Sequence, residues 1–159
     1  MHTEAFDYVA RFADRSRCRV IELGSRDVNG TPRRLFPKAT YTGVDCVAGR
    51  GVDIVDDAAT TSLFGDEADY VICAEVFEHT PDWRQIVANA YRILRSGGRA
   101  VFTCAGPGRA PHPCHDDEEI GYYANVSSGD LGRVMIEVGF SDVWSESSGD
   151  DTRSTGVKP

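Results

Sequence analysis

Short apolar runs recur along the chain, and longer polar or amphipathic segments separate them. The run CRVIELG at residues 18–24 is apolar at its centre, which is typical of a strand buried on both faces. Four further runs, TYTGVD, VDIVDDA, DYVICAEV and RAVFTCAG, follow it along the chain. The pattern predicts five strands, and the segments SDVWSES and TRSTGVK are expected to close the sheet as an antiparallel pair.

Apolar residues at helical spacing occupy the segments between these runs. They predict a first helix over Thr3–Ala13 with Thr3 as its cap, a second within residues 80–98 ended by the glycine pair of RSGG, and a third within residues 130–140. Strands that alternate with helical or irregular crossovers imply an α/β fold around a mainly parallel sheet.

Acidic residues stand at or just beyond the ends of four predicted strands. They are Glu22, Asp45, Asp57 and Glu75. Ligands of such sheets bind beyond the carboxyl ends of the strands. Because core packing does not require four successive acids at these places, we expect a ligand site along this edge.

The turn after the first strand favours a cationic or zwitterionic ligand. Gly24 lets the backbone approach a ligand closely, but GSRDVNG lacks the G-x-G-x-x-G pattern and does not lead directly into a helix. Glu22 and Asp27 would also repel a diphosphate. A nicotinamide-dependent enzyme is therefore disfavoured, and an ordinary strand-to-helix connection is the alternative interpretation of this turn.

Two of the strand ends suggest specific contacts with a nucleoside. Asp45 follows the turn by about 20 residues, where an acid can accept both hydroxyls of a ribose; a turn-capping Asp is the alternative. Asp57 with Ala58 could hold an adenine amino group, and the alternative is a solvated acid pair of Asp56 and Asp57.

The segment at residues 106–125 is long for a loop, and such loops in compact domains are usually functional or disordered. It carries side chains suited to binding a substrate and moving a proton: Arg109, His112, His115, Tyr122 and Tyr123. His112 and His115 are candidate general bases, and the tyrosines alternatively form a lid on the sheet. His79, which follows an apolar strand, is a third candidate base, although a lone histidine is more often structural.

The motif HPCH raises a metal site as another interpretation, with His112, Cys114 and His115 as ligands. A fourth ligand is not evident, and the other cysteines fall in or beside predicted strands. No metal is therefore expected.

Composition narrows the class of protein. The chain has 159 residues, 41% hydrophobic and 26% charged, which suits one domain over residues 1–159. The net charge of -8 argues against general nucleic-acid binding, because phosphate contacts need surplus Lys and Arg. No run of about 18 apolar residues predicts a membrane span. An odd number of cysteines and no signal-peptide core lead us to expect a cytoplasmic protein with reduced thiols.

The ordered motifs VIELGS, YTGVD, DIVDDA, DYVICAEVFEHTPDW and YRILRSGGRAVFT resemble the class I S-adenosylmethionine-dependent methyltransferases, most of all the methyltransferase type-11 group. The resemblance spans roughly residues 18–106, and its most specific part is FEHTPDW with the following RIL and GG. It implies a Rossmann-like methyltransferase fold, S-adenosylmethionine as cofactor and a small-molecule acceptor, with O-methylation as one option.

The resemblance also implies roles for individual residues. The ribose diol would bind Asp45, the adenine would lie beside Asp57 and Ala58, and the methionine end would lie near Glu22 and Glu75. The full set expected to bind the cofactor is Glu22, Gly24, Ser25, Asp45, Asp57, Ala58 and Glu75. The residue types of the 106–125 loop, independently of the resemblance, lead us to expect that Arg109, Tyr122 and Tyr123 bind the acceptor.

The glycine loop departs from the family pattern. The usual E/D-x-G-x-G-x-G would place glycines where this chain has Arg26 and Val28, and Gly30 follows only after a longer turn. A non-catalytic binding module on the same fold is therefore the alternative to an enzyme.

Overall fold

The computed structural model describes residues 1–114 and 119–159, and the strands in these residues form one seven-stranded sheet. They are β1 (Arg19–Leu23), β2 (Thr40–Asp45), β3 (Ile54–Val55), β4 (Ala68–Ala74), β5 (Leu94–Ala105), β6 (Ser141–Ser148) and β7 (Asp151–Val157). Their order is β3-β2-β1-β4-β5-β7-β6, with β1 to β5 parallel and β7 antiparallel to both β5 and β6. The expected α/β fold, with a mainly parallel sheet and an antiparallel C-terminal pair, is confirmed.

Three α-helices in the described residues cover the sheet: α1 (Thr3–Ala10), α2 (Trp83–Ile93) and α3 (Ser128–Val138). Short 3-10 helices span Pro32–Leu35 and Phe77–His79. Helix α1 is shorter than expected and is capped by His2 rather than Thr3, because the His2 imidazole accepts a hydrogen bond from the Ala5 amide at 3.5 Å.

Alternating side chains of each strand enter cores on opposite faces of the sheet. On β4, Val71 packs in the core beneath α2 and α3, while Ile72 packs in the core beneath α1. On β5, Phe102 packs in the core beneath α2 and α3, and Val101 packs in the core beneath α1. Burial on both faces explains why these strands are continuous apolar runs in the sequence.

Helix α2 ends earlier than the glycine pair suggested. It stops at Ile93, and Leu94 already pairs with Ala68 as the first residue of β5. Gly97 and Gly98 instead pair with the end of the chain, since the Gly97 amide donates to the Lys158 carbonyl at 2.7 Å and the Lys158 amide to the Gly98 carbonyl at 2.9 Å. In the part of the chain that the structure describes, no helix is long and apolar enough to cross a membrane.

Candidate functional site

A cavity of about 520 Å³ lies over the carboxyl ends of β1, β2 and β4. It collects side chains from segments far apart in the sequence, as parallel pairing of these strands requires. Nine of the residues singled out in the sequence line it: Glu22, Gly24, Asp45, Asp57, Ala58, Glu75, His79, Arg109 and His112.

Gly24 forms the floor of the turn after β1. Its φ of 80° is in the left-handed region, and its amide donates to the Val44 carbonyl at 2.8 Å. A Cβ at this position would overlap Cγ2 of Val76, the residue after Glu75. Both the conformation and the contact therefore require glycine.

Asp45 organises the turn and also faces the cavity. Its Oδ2 accepts the Arg26 amide at 3.0 Å, and its Oδ1 accepts the Val47 amide at 3.0 Å. The turn-capping interpretation is therefore correct for the contacts within the chain. Each carboxylate oxygen has a further lone pair, so the group can still accept hydrogen bonds from a ligand.

Asp57 and Ala58 border the other end of the cavity. The Asp57 Oδ1 accepts the Ala59 amide at 2.7 Å, which fixes the turn after β3. Asp56 does not line the cavity, and its side chain accepts the Asp57 amide at 2.9 Å. Of these two neighbouring acids, only Asp57 is therefore placed to contact a ligand in the cavity.

Glu22 is buried at the base of the cavity, with only 4% of its surface exposed. The Tyr41 hydroxyl donates to its Oε2 at 2.9 Å. Burial raises the pKa of Glu22 to about 8, against the opposing effect of the Tyr41 hydrogen bond. A cation bound beside Glu22 would favour its ionised form.

Glu75 lies at the centre of a charged network. Its φ of 59° is unusual for a residue other than glycine, and such strain clusters at functional sites. The carboxylate accepts the Thr103 hydroxyl at 2.9 Å and the Arg109 guanidinium at 3.1 Å, and it lies 3.0 Å from His2 Nε2. Arg109 also contacts Asp151 at 2.6 Å. Burial opposes ionisation, but the hydrogen bond and charge of His2, with the charge of Arg109, hold the pKa of Glu75 below its usual value.

A second cluster adjoins this network. Glu78 is fully buried, and its potential ligand atom and those of His79 and His112 lie within 4.8 Å of one another. The two imidazole rings meet edge-on at 5.0 Å, and the Tyr123 ring contacts both, at 5.7 Å from His79 and 5.1 Å from His112. Burial and the nearby charge of Glu75 raise the pKa of Glu78 to about 8.

Comparisons with known proteins identify this architecture. A family model described as a methyltransferase domain matches residues 30–102, beginning just after the altered glycine loop. Phosphoethanolamine N-methyltransferase 2 of Haemonchus contortus, solved with S-adenosylmethionine, superposes with a TM-score of 0.76 at 17% identity over 98% of this chain and 52% of the other. The chain has a class I methyltransferase fold.

Other solved structures share this methyltransferase fold. YcgJ of Bacillus subtilis gives a TM-score of 0.74 at 14% identity, covering 99% of each chain. A methyltransferase of Thermotoga maritima, titled a possible histamine N-methyltransferase, gives 0.72 at 17% identity over 98% of this chain and 87% of the other. A search of curated proteins gave no significant match. The chain spans about half the length of the Haemonchus enzyme and the full length of YcgJ.

The remaining site predictions are not placed on the cavity wall of this methyltransferase fold. Ser25 is 1% exposed and lies outside the lining, with its side chain packed against Gly43. Tyr122 is 47% exposed and also outside the lining, while the Tyr123 ring lies outside the lining and contacts the rings of His79 and His112. His115 lies outside the described residues.

Three titratable residues of the two clusters were not identified from the sequence. His2 and Asp151 join the Glu75 network from opposite ends of the chain, and no local pattern marks either of them. Glu78 did carry a signal, because it is an acid beside the buried Phe77 within the motif FEHTPDW.

Proposed function

We propose that the protein is an S-adenosylmethionine-dependent methyltransferase that acts on a small molecule. The observation that carries the proposal is the cavity in which acids from successive strand ends converge on the Gly24 turn. The neighbouring Haemonchus enzyme was solved with this cofactor, and the shared fold supports a similar use of the cavity.

In the proposed complex the cofactor lies along the strand ends. Asp45 accepts the ribose hydroxyls, Asp57 and Ala58 border the adenine, and Glu22 with Glu75 faces the methionine end. Carboxylates favour a cationic sulfonium and ammonium over an anionic diphosphate by simple charge attraction. The acceptor enters from the side formed by His79, His112 and Arg109, which line the same cavity.

Methyl transfer needs alignment more than covalent participation by the protein. A lone pair of the acceptor forms the new bond to the methyl carbon, and the carbon–sulfur bond breaks with its electrons left on sulfur as S-adenosylhomocysteine. Holding donor and acceptor in line lowers the barrier by orientation. If the acceptor is a hydroxyl, its proton leaves to a base, for which His112 and His79 are the candidates on the cavity wall; His115 is a further sequence-based candidate.

Calorimetric titration with S-adenosylmethionine and S-adenosylhomocysteine tests cofactor binding. We expect Asp45→Ala to weaken binding by about 10- to 150-fold, because hydrogen bonds to a charged group contribute about 1.5–3 kcal/mol. Asp56→Ala is the matched control and should bind normally, since Asp56 lies off the cavity.

Asp45→Asn separates a loss of ligand contact from a loss of the turn, because it keeps the size of the side chain. Thermal unfolding of both Asp45 variants shows whether the turn survives. Equal affinities for Asp45→Ala and Asp56→Ala would place the ribose elsewhere. No binding of either nucleoside to the unaltered protein would refute the proposed function.

A non-catalytic binding module is the second candidate. Arg26 and Val28 both line the cavity at positions where the family pattern has glycine, so they occupy space that the family leaves open. Under this proposal the nucleoside binds, but methyl from labelled S-adenosylmethionine is not transferred to any of a panel of hydroxyl, amine and carbon acceptors. Methyl transfer to any of these acceptors would show that the protein is an enzyme and would exclude a non-catalytic binding module.

A further inference from the structure

Three potential metal ligands meet on the acceptor side of the cavity. They are Glu78, His79 and His112, with ligand atoms within 4.8 Å of one another. Metal–ligand distances of about 2.0–2.2 Å would bring neighbouring ligand atoms to about 3 Å from each other. His112 is only partly buried, so a small rotation of its side chain can close the remaining gap.

Glu78 is the decisive member of this cluster. It is 0% exposed, and no side chain among the described residues hydrogen-bonds either carboxyl oxygen; the backbone amides of Glu78 and Ala105 face the group without good hydrogen-bond geometry. A buried carboxylate without a partner is costly, so such groups are normally paired, protonated or bound to a metal. The position of Glu78 beside two imidazoles points to the third of these.

The surroundings hold the two imidazoles in place. The Nδ1 of His112 lies 3.2 Å from the Ala110 carbonyl, an arrangement in which Nδ1–H donates and Nε2 keeps the lone pair that a cation requires. The Ala124 amide donates to the Glu78 carbonyl at 2.9 Å, and this bond anchors the neighbouring Tyr123 ring against both histidines.

His2, Glu75 and Asp151 form a second group of potential ligands, but this group does not suit a metal ion. The Arg109 guanidinium contacts Glu75 at 3.1 Å and Asp151 at 2.6 Å, so a positive charge already occupies its centre. Glu78, in contrast, has no ion pair with a cationic side chain in residues 1–114 or 119–159. Of these two clusters, as far as residues 1–114 and 119–159 show, the one around Glu78 has no arginine or lysine paired with its carboxylate.

We propose that Glu78, His79 and His112 bind a divalent first-row transition-metal ion. Two imidazoles and one carboxylate suit such ions, and both histidines line the cavity, so the remaining coordination positions face the acceptor. The site departs from the HPCH interpretation, because it replaces Cys114 and His115 with a buried acid and a histidine from the segment after β4.

The role of the ion rests on the proposed function. An acceptor hydroxyl bound to the ion loses its proton to solvent more readily, because the cation stabilises the alkoxide. The oxygen lone pair then attacks the sulfonium methyl, and sulfur leaves with the bonding electrons. His79 and His112 thus hold the ion instead of accepting the proton.

Cobalt titration tests the site directly. Protein treated with a chelator and then dialysed is titrated with CoCl₂, and the visible absorption of bound Co²⁺ is recorded together with calorimetric heats. We expect stoichiometric binding, and at least a 100-fold loss of affinity in Glu78→Gln and in His112→Asn, since even residues that only support a ligand give losses of about 10–100-fold.

Control variants locate the ion. His2→Asn, in the cluster occupied by Arg109, and Cys114→Ser, in the HPCH motif, should both bind Co²⁺ normally. Glu78→Gln keeps the size of the side chain, and circular dichroism checks that each variant is folded. No Co²⁺ binding by the unaltered protein, normal binding by Glu78→Gln, or a loss confined to Cys114→Ser would each overturn the inference.

Titration with S-adenosylmethionine in the presence of the chelator keeps the two proposals apart. Nucleoside binding without Co²⁺ binding overturns the metal site and leaves the methyltransferase proposal in place. Co²⁺ binding without nucleoside binding supports the metal site and removes the proposed function.

Discussion

Glu75 and Glu78 are three residues apart and both are largely removed from solvent, yet their pKa values shift in opposite directions. Glu75 is 12% exposed and contacts His2, Arg109 and Thr103, and its pKa lies below the usual value. Glu78 is fully buried, no side chain in the described residues hydrogen-bonds its carboxyl group, and burial raises its pKa to about 8. Partners, more than burial, therefore decide which of the two is ionised at neutral pH.

The backbone creates this difference. The positive φ of Glu75 turns its side chain towards β5 and β7, where Thr103 and Asp151 lie, whereas Glu78 belongs to the 3-10 helix that follows. One short segment thus supplies an ionised carboxylate to one cluster and a carboxyl without a counter-charge to the other. Substitutions can break either side of this contrast.

The largest expected effect is on the pH dependence of stability through Glu78. Because its folded pKa of about 8 exceeds the ordinary value of 4.5 for a glutamate, the folded state binds an extra proton between these pH values, and stability falls as pH rises through this window. Glu78→Gln removes the effect. We expect the variant to gain on the order of 3–5 kcal/mol over the unaltered protein between pH 5 and pH 9, measured by urea unfolding in the absence of metal.

Glu22 titrates in the same window and makes stability fall with pH in both proteins, so the difference between the two proteins isolates Glu78. A constant difference across this pH range would mean that Glu78 is already paired in solution.

A smaller change in stability is expected when Glu75 loses one of its partners. Arg109→Met leaves Glu75 with His2 and Thr103 alone, and should cost about 1–3 kcal/mol at pH 7, because a largely buried charge loses a partner. The pKa of Glu75 is depressed, so this contribution is present above about pH 4.5 and disappears as pH falls through the folded value.

Chemical denaturation at pH 7 measures the loss of stability in Arg109→Met, and chemical denaturation at pH 3.5 shows whether that loss becomes smaller. The matched control is Arg50→Met, which removes the ion pair between the exposed Arg50 guanidinium and Asp27 and should change stability by less than about 1 kcal/mol. Equal losses for the two arginines would show that the Glu75 network contributes no more than a surface pair.

The smallest effect concerns one hydrogen bond. Thr103 is 1% exposed and donates to Glu75 at 2.9 Å. Thr103→Val keeps the shape but removes the hydroxyl, and should cost about 1–2 kcal/mol. Thr103→Ser retains the donor and should lose less of the stability; the reverse order would indicate that methyl packing matters more than the hydrogen bond.

The positions of the acids on the side of the cavity proposed to bind the cofactor were largely predictable from sequence. Glu22, Asp45 and Glu75 end parallel strands, and strand pairing alone brings such ends to one edge. Each of them can be assigned from its own neighbours in the chain, because the apolar run before it marks the strand.

The side of the cavity proposed to bind the acceptor was not predictable in the same way. His2 and Asp151 reach Glu75 through contacts between distant segments, and the pairing of Leu94 with Ala68 ended α2 before the glycines. The loop histidine His112 was identified, but its position beside Glu78 and His79 depends on how the loop returns over the sheet.

The contact between Gly24 and Val76 couples the residues that can be tolerated at these two positions, although they lie in separate turns. Any larger residue at 24 would need both a tolerated left-handed backbone and a smaller neighbour at 76. Among close relatives, the two positions should therefore covary, with Ala at the first accompanied by Gly or Ala at the second. The same reasoning gives a route for directed evolution: a weakened Gly24→Ala protein should recover through shortening of Val76 before changes appear elsewhere.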